Sequence, residues 1–250
     1  MKSWSSFIAA AAFLAAVSVS HAEHMSYPDT QEAVEAEILN IPWEFESESY
    51  VLAKSNSSLQ LPEGLTLLRG EAAERFVFLS QGTEFPETEA IVVDFEIRAV
   101  VYFAYFDEGY VRLDDWEELD PDELLEAIID ATEESNIDRL LHGLAEVHVK
   151  GWLVEPTLDR PNNSAFWAIE SVVSGEPIVN TASLKLGRKG YEKIEWVGTL
   201  SQYFGSDDLM EAMLDGYTYD PGYRYADYSI GDNLAGIGIA ALVAVTAGAT

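Results

Sequence analysis

Two hundred and fifty residues, 48% hydrophobic and 12% aromatic, suit one sizeable domain with a real core, and the absence of cysteine excludes disulfide stabilisation and thiol chemistry. Forty-four acidic against 14 basic side chains leave a net charge of −30 at pH 7, which argues against nucleic acid and against binding anionic lipid through a broad basic face. A solvated surface in a salt-tolerant organism explains that charge; cation binding and a basic partner are the functional alternatives.

The first elements in chain order are a targeting segment and an acidic entry into the domain. Lys2, the apolar run Phe7 to Val19 and the small-residue site Ser20-His21-Ala22 predict a signal peptide over residues 1–22. Export without disulfides and an Ala-rich signal point to the bacterial periplasm. Residues 23–232 then form the exported domain. Glu32, Glu35 and Glu37 fall on a short helix near Trp43, Leu59 to Pro62 reads as a strand, and Glu71 to Leu79 as a helix. Ile91 to Phe106, rich in Val, Ile, Phe and Tyr, holds at least one buried strand.

An acidic turn around Asp114 and Asp115 precedes the most strongly signalled helix of the chain. Asp120 caps it, Pro121 suits its first position, Glu123 can close the cap, and Gly143 ends it. At about 100° per residue, Leu125, Ile128, Ile129, Thr132, Asn136, Arg139 and Leu140 share one face. The inward stripe thus becomes polar halfway along, where each buried polar group costs roughly 1–3 kcal/mol unless it is hydrogen-bonded. A buried guanidinium at Arg139 needs a partner, and Asp159 or Asp227 would serve. Thr132, Asn136, Arg139, Asp159 and Asp227 are therefore expected to form an internal polar network that fixes the fold.

Strands follow at Glu146 to Val154, stopped by Glu155-Pro156, then at Ala165 to Val173, Ile178 to Leu186 and Tyr191 to Val197. Gly187 to Gly190 turns the last hairpin, and Asp207 to Leu214 is a short helix. The fold class is α+β, a largely antiparallel sheet with a few packed helices, plus an apolar C-terminal helix. That last segment, residues 233–250, carries no charge. As one helix it would span about 27 Å, slightly less than the ~30 Å hydrocarbon core of a bilayer. Gly236, Ala240, Ala244 and Gly248 recur every fourth residue, as in close-packed membrane helices. A buried terminal helix of a soluble domain explains the same letters.

From Gly109-Tyr110-Val111 and Asp114-Asp115 onward the chain resembles a known family. The matching residues run through Thr132, Asn136 and Arg139, Gly151-Trp152, Pro156, Asp159, Trp167-Ala168, Asn180, Leu186-Gly187-Arg188 and Gly190. They continue through Gly222 to Asp227 and Asp232, and Leu61 to Gly64 matches an N-terminal element. The family is the domain of unknown function 2167, uncharacterised membrane-anchored bacterial proteins. The resemblance implies export, a periplasmic domain and a C-terminal anchor in the inner membrane, abbreviated or incomplete here. It implies no activity.

Chemistry-bearing motifs are sparse. There is no His-Glu-x-x-His, no Gly-x-Ser-x-Gly elbow and no phosphate-binding glycine loop, and past the signal only His24, His142 and His148 remain. Asp114 and Asp115 are weak Ca²⁺ candidates without EF-hand spacing. Lys185, Arg188, Lys189 and Lys193 lie within nine residues and form a candidate anion patch. No cofactor is expected. The expected function is a non-catalytic, membrane-tethered periplasmic domain for binding or envelope assembly, with an unidentified envelope protein as partner. The competing reading is a periplasmic hydrolase or Ca²⁺-binding enzyme that uses acidic residues.

Overall fold

Seven antiparallel strands in the order β3-β4-β5-β9-β8-β7-β6 form the backbone of the molecule, a computed structural model in which residues 26–141, 143–206 and 209–248 are described. The expected signal peptide over 1–22 lies outside the described residues, as do His24, His142, Asp207 and Asp208. The strands are β3 (Thr66–Arg69), β4 (Thr88–Asp94), β5 (Ala99–Phe106), β6 (Val147–Asp159), β7 (Ser164–Val173), β8 (Glu176–Leu186) and β9 (Tyr191–Thr199). A second antiparallel sheet pairs β1 (Ser49–Leu52), β2 (Ser57–Gln60) and β10 (Tyr217–Tyr219). Six α-helices are described: α1 (Gln31–Asn40), α2 (Glu71–Gln81), α3 (Pro121–Leu141), α4 (Leu200–Gly205), α5 (Leu209–Gly216) and α6 (Ile239–Ala247).

The large sheet is covered on both faces. On one face α1 and α2 pack over Leu68, Ile91 and Val93, while α3 and α6 pack over Trp167, Leu184 and Tyr191. On the other, the small sheet and α5 cover Val92, Phe103, Ile194 and Trp196. This sandwiching explains β9, in which every residue from Tyr191 to Trp196 is buried. A strand with two dry faces has no polar side, so its charged residues must find internal partners.

Sequence and structure differ instructively at Pro156. The strand expected to stop there continues to Asp159, because β6 is an edge strand with irregular pairing. Its register passes from Val154 opposite Ala168 to Thr157 opposite Phe166, which leaves Glu155 and Pro156 out of the ladder. A proline is tolerated where no ladder hydrogen bond is asked of it.

The helix from Pro121 begins as expected, with the Asp120 carboxylate accepting from the Asp122 and Glu123 amides at 3.0 and 3.2 Å. Its stripe is narrower than the periodicity predicts. Ile128 and Asn136 of the expected face are buried, as is Leu124 beside it, whereas Leu140 is exposed.

The C-terminal segment folds into the core. Residues 233–235 run beside Tyr110, which donates its amide to Asn233 O at 2.9 Å and accepts from the Ala235 amide at 3.0 Å. Gly109, at φ +92°, permits this approach: a Cβ there would lie 2.9 Å from Asn233 O. α6 then buries Ile239, Leu242 and Val243 against the sheet. At nine residues it is about 14 Å long. No helix among the described residues is long and apolar enough to cross a membrane. Within residues 233–248 the apolar C-terminal helix expected from the sequence is the short α6. Of the segment's large apolar side chains, Ile239, Leu242 and Val243 close the core over β7 and β8, while Leu234, Ile237 and Val245 are exposed.

A cleft between the sheet and helix α5

On the face of the large sheet that carries the small one, the covering layer is incomplete over β7, β8 and β9. A cleft of about 430 Å³ remains there, within the range of small-molecule sites. Alternation along the strands builds its floor: Ser164 and Phe166 from β7, Lys185 from β8 and Trp196 from β9. Tyr203, Ser206, Met210, Glu211, Leu214 and Asp215 form the wall. α5 buries Leu209 and Met213 against the core, which turns Met210 and Leu214 toward the cleft and leaves Glu211 and Asp215, four residues apart, at its exposed rim.

Two donors at this cleft, one enclosed beneath its floor and one lining it, make no hydrogen bond to a described residue. Trp196 is 1% exposed, yet its indole N–H has no hydrogen-bond partner. Its ring lies across Gly198, where a Cβ would come within 2.5 Å of a ring carbon, and 6.0 Å from the ring of Tyr203. Among the described residues Lys185 is the only Lys or Arg lining the cleft, and its side chain makes no hydrogen bond or ion pair to a described residue. Burial pushes its ammonium pKa down, and the fields of Asp215 and Asp159 oppose that shift. Asp159 itself is committed to its own turn. It accepts from the Asn162 amide at 3.1 Å and from the Asn162 side chain at 2.7 Å, and these bonds hold its carboxyl below the usual range.

The expected polar network divides into separate local structures. Asn136 accepts from the Val147 amide and donates to Val147 O, both at 2.8 Å, and so ties α3 to the start of β6. Thr132 donates to Ile128 O at 2.7 Å, within its own helix. Arg139 donates to Ala145 O at 2.8 Å and holds the turn after α3. Asp159 sits at the opposite end of β6 from Val147, and Asp227 accepts from the Gly222 and Arg224 amides at 2.8 and 3.1 Å. Both aspartates organise turns, for which a short carboxylate suits better than a long-range pair. The five residues thus lie in separate local structures: a helix–strand clamp at Asn136, a bond within α3 at Thr132, and turns braced by Arg139, Asp159 and Asp227.

The candidate anion patch also disperses, since strand alternation sends neighbouring residues to opposite faces. Lys185 lines the cleft. Lys193 is buried on the other face and pairs with Glu195 at 2.8 Å. Arg188 makes a two-pronged bond to Asp232 at 2.7 and 2.8 Å, and Lys189 lies 5.0 Å above the Tyr223 ring. Of the weak Ca²⁺ candidates, Asp114 lies 3.8 Å from Arg112, and the Asp115 carboxylate packs against Gly238. Among the described residues no group of three His, Cys, Asp or Glu side chains is arranged to hold a metal.

Sequence reasoning missed a buried carboxyl pair. Glu89 and Glu192 are 2% and 0% exposed, beneath the small sheet and outside the cleft. Glu89 accepts from the backbone amides of Lys54 and Ser55, and Glu192 from the Tyr217 hydroxyl at 3.1 Å. The remaining oxygen of each lacks a hydrogen-bond partner, and the two carboxyls face one another. Burial, then the facing Glu89, pushes Glu192 well above the usual carboxylate range. The bulge in β4 between Thr88 and Ala90 turns Glu89 toward this site, a displacement that alternation alone does not disclose.

A family model described as a protein of unknown function, DUF2167, matches residues 44–250. No curated protein matches the chain. Among solved structures, the chain is similar to PsbP (CyanoP) from the cyanobacterium Synechocystis sp. PCC 6803, at 9% identity and a TM-score of 0.43, over 72% of this chain and 94% of that one. CalU16 from Micromonospora echinospora is similar at 13% identity and a TM-score of 0.19, over 51% of this chain and 73% of that one. Both likenesses are too distant to bear on function.

Proposed function

The chain belongs to the DUF2167 family of proteins of unknown function, and from that membership and the cleft we propose an exported, non-catalytic domain that binds a small organic ligand between β7–β9 and α5. The observation that carries the reading is the cleft itself, whose apolar walls surround a lysine, Lys185, that makes no hydrogen bond to a described residue. A ligand oxygen would give that ammonium a charge-assisted hydrogen bond. The buried carboxyls Glu89 and Glu192 are enclosed beneath the small sheet, away from the cleft. In this reading Ile239, Leu242 and Val243 serve the core of the domain, where they are buried.

A thermal-shift screen of the chain against small amphipathic molecules tests the binding claim. A ligand at 100 times its Kd adds about 2.7 kcal/mol of stability. For a domain of this size that is a rise in Tm of roughly 5–10 °C. Leu214→Arg, which puts a bulky charge into the cleft wall, should abolish the shift. Shifts that survive this substitution, or none across the screen, would overturn the reading. Export has its own test: fractionation of a bacterial host should find the processed chain outside the cytoplasm, and unprocessed chain retained in the cytoplasm would refute it.

A further inference from the structure

We infer that the outer face of α3 docks a basic amphipathic helix of a partner protein. This face lies on the opposite side of the large sheet from the cleft, so the inference is independent of the cleft as a binding site.

Leu124, Ile128 and Asn136 hold the inner side of α3 to the sheet. At about 100° per residue, the side facing away from them carries Glu123, Glu126, Asp130, Glu133 and Glu134, then Ile137, Leu140 and Leu141. All eight are exposed. Ile137, Leu140 and Leu141 are each more than half exposed, and Leu144, just past the helix end, is nearly half exposed. No other stretch of that length among the described residues exposes four large apolar side chains. The outer face is thus ordered along its axis, with carboxylates first and an apolar tip at the end.

Both parts work against the isolated domain. Like charges three and four residues apart on a helix repel. Among the described residues no Lys or Arg pairs with Glu123, Glu126, Asp130 or Glu134, and Glu133 has only His148, at 2.9 Å. The apolar tip adds nothing to the core, since it faces water. A face that breaks two rules of helix stability side by side is where a binding role is expected.

Charge complementarity selects the occupant. A helix with Lys or Arg every third or fourth residue and apolar side chains at one end would turn the repulsion into attraction and cover the tip. A second copy does not fit. Laid along α3 it would bring carboxylates against carboxylates or against the apolar tip. Meeting tip to tip, four side chains a side fall short of the ~1,000 Å² that a stable interface needs. An anionic bilayer is repelled by the same carboxylates and by the net charge of −30.

Fluorescence anisotropy with the full chain tests the inference. The probe is a labelled alanine-based helical peptide as long as α3, with lysines three and four apart on one face and leucines at one end of that face. Its controls are the scrambled sequence and a version with glutamate for every lysine. The ordered peptide is expected to bind at least tenfold more tightly than either control, and less tightly as salt is added. Ile137→Ser with Leu141→Ser should weaken binding at least tenfold and leave Tm unchanged, because both side chains are exposed. Glu126→Gln with Asp130→Asn should weaken it as much. Glu46→Gln with Glu63→Gln makes the same change in net charge beside β3, at the far edge of the large sheet, and should have little effect. Equal effects of the two charge pairs would reduce binding to the overall field of the chain and overturn the inference. A scrambled peptide that binds as well, or indifference to the serine substitutions, would also overturn it. So would failure of the ordered peptide to bind. In that case, self-association abolished by the serine substitutions would give the face to a second copy, and lost attachment to phosphatidylglycerol vesicles would give it to a bilayer.

Discussion

Deleting residues 233–250 is expected to unfold the domain rather than release it as a soluble fragment. α6 places Ile239, Leu242 and Val243 in one apolar cluster with Trp167, Leu184 and Tyr191, and Ile239 and Val243 are completely buried. Burying one such aliphatic side chain contributes roughly 1.5–3 kcal/mol. Three of them approach the whole stability of a typical domain, about 5–15 kcal/mol. The truncation also strips the ladder in which Tyr110 pairs with Asn233 and Ala235, and the bond from the Ile239 amide to Arg112 O. Trp167, Leu184 and the inner side of α3 would then face water. The measurement is urea unfolding of the truncated and complete chains, followed by circular dichroism. The expected result is loss of the cooperative transition, or a midpoint so low that the fragment is largely unfolded without urea. A truncated chain that unfolds cooperatively within a few degrees or tenths of molar of the complete one would show that the tail is dispensable to the core.

The tail also shows where the sequence alone was insufficient. An apolar run of small and aliphatic residues has the same composition whether it faces lipid or a sheet. What decides between the two is the backbone pairing of residues 233–235 with Tyr110, a relation across more than 120 positions that no local pattern records. Elements whose signal is local were legible. The cap at Asp120, the strands from Ser164 to Thr199 and the α+β class followed from turn chemistry and period. Local density misled at the four basic residues between Lys185 and Lys193, since closeness in a β-hairpin sequence does not mean a common face. Asn136 was legible as a polar residue on an inward stripe, although its partner Val147 was not. The cleft was illegible because Lys185, Trp196 and α5 meet only through sheet order and helix packing. Glu192 was hidden for a related reason. Alternation assigns a charged strand residue to a wet face, and β9 has none.

The buried pair that results should make stability depend on pH in the opposite sense to an ordinary salt-bridged carboxylate. Burial and the facing Glu89 keep Glu192 protonated in the folded chain well above the usual range, whereas an unfolded glutamate titrates near about 4.3. Between those two values the folded state holds the extra proton, so stability falls as pH rises, by up to about 1.4 kcal/mol per pH unit. The full contribution is present below the unfolded value and is lost as pH passes through the folded one. Asp232 and Glu37, held low by Arg188 and Arg75, act the other way and only at more acid pH, outside this window. Glu192→Gln keeps the volume, can still accept from the Tyr217 hydroxyl, and lets its amide donate to Glu89 without a titrating proton. The Tm of the natural chain should therefore decline from pH 5 to pH 8, while that of the variant stays nearly level and is the higher of the two at pH 8. Parallel profiles for the two proteins across that range would show that no proton is shared, and that Glu89 and Glu192 are solvated or partnered in another way. A decline confined to the natural chain would assign the pH dependence to this pair of the large sheet, whose carboxyls accept from Ser55 and Tyr217 beneath the small one.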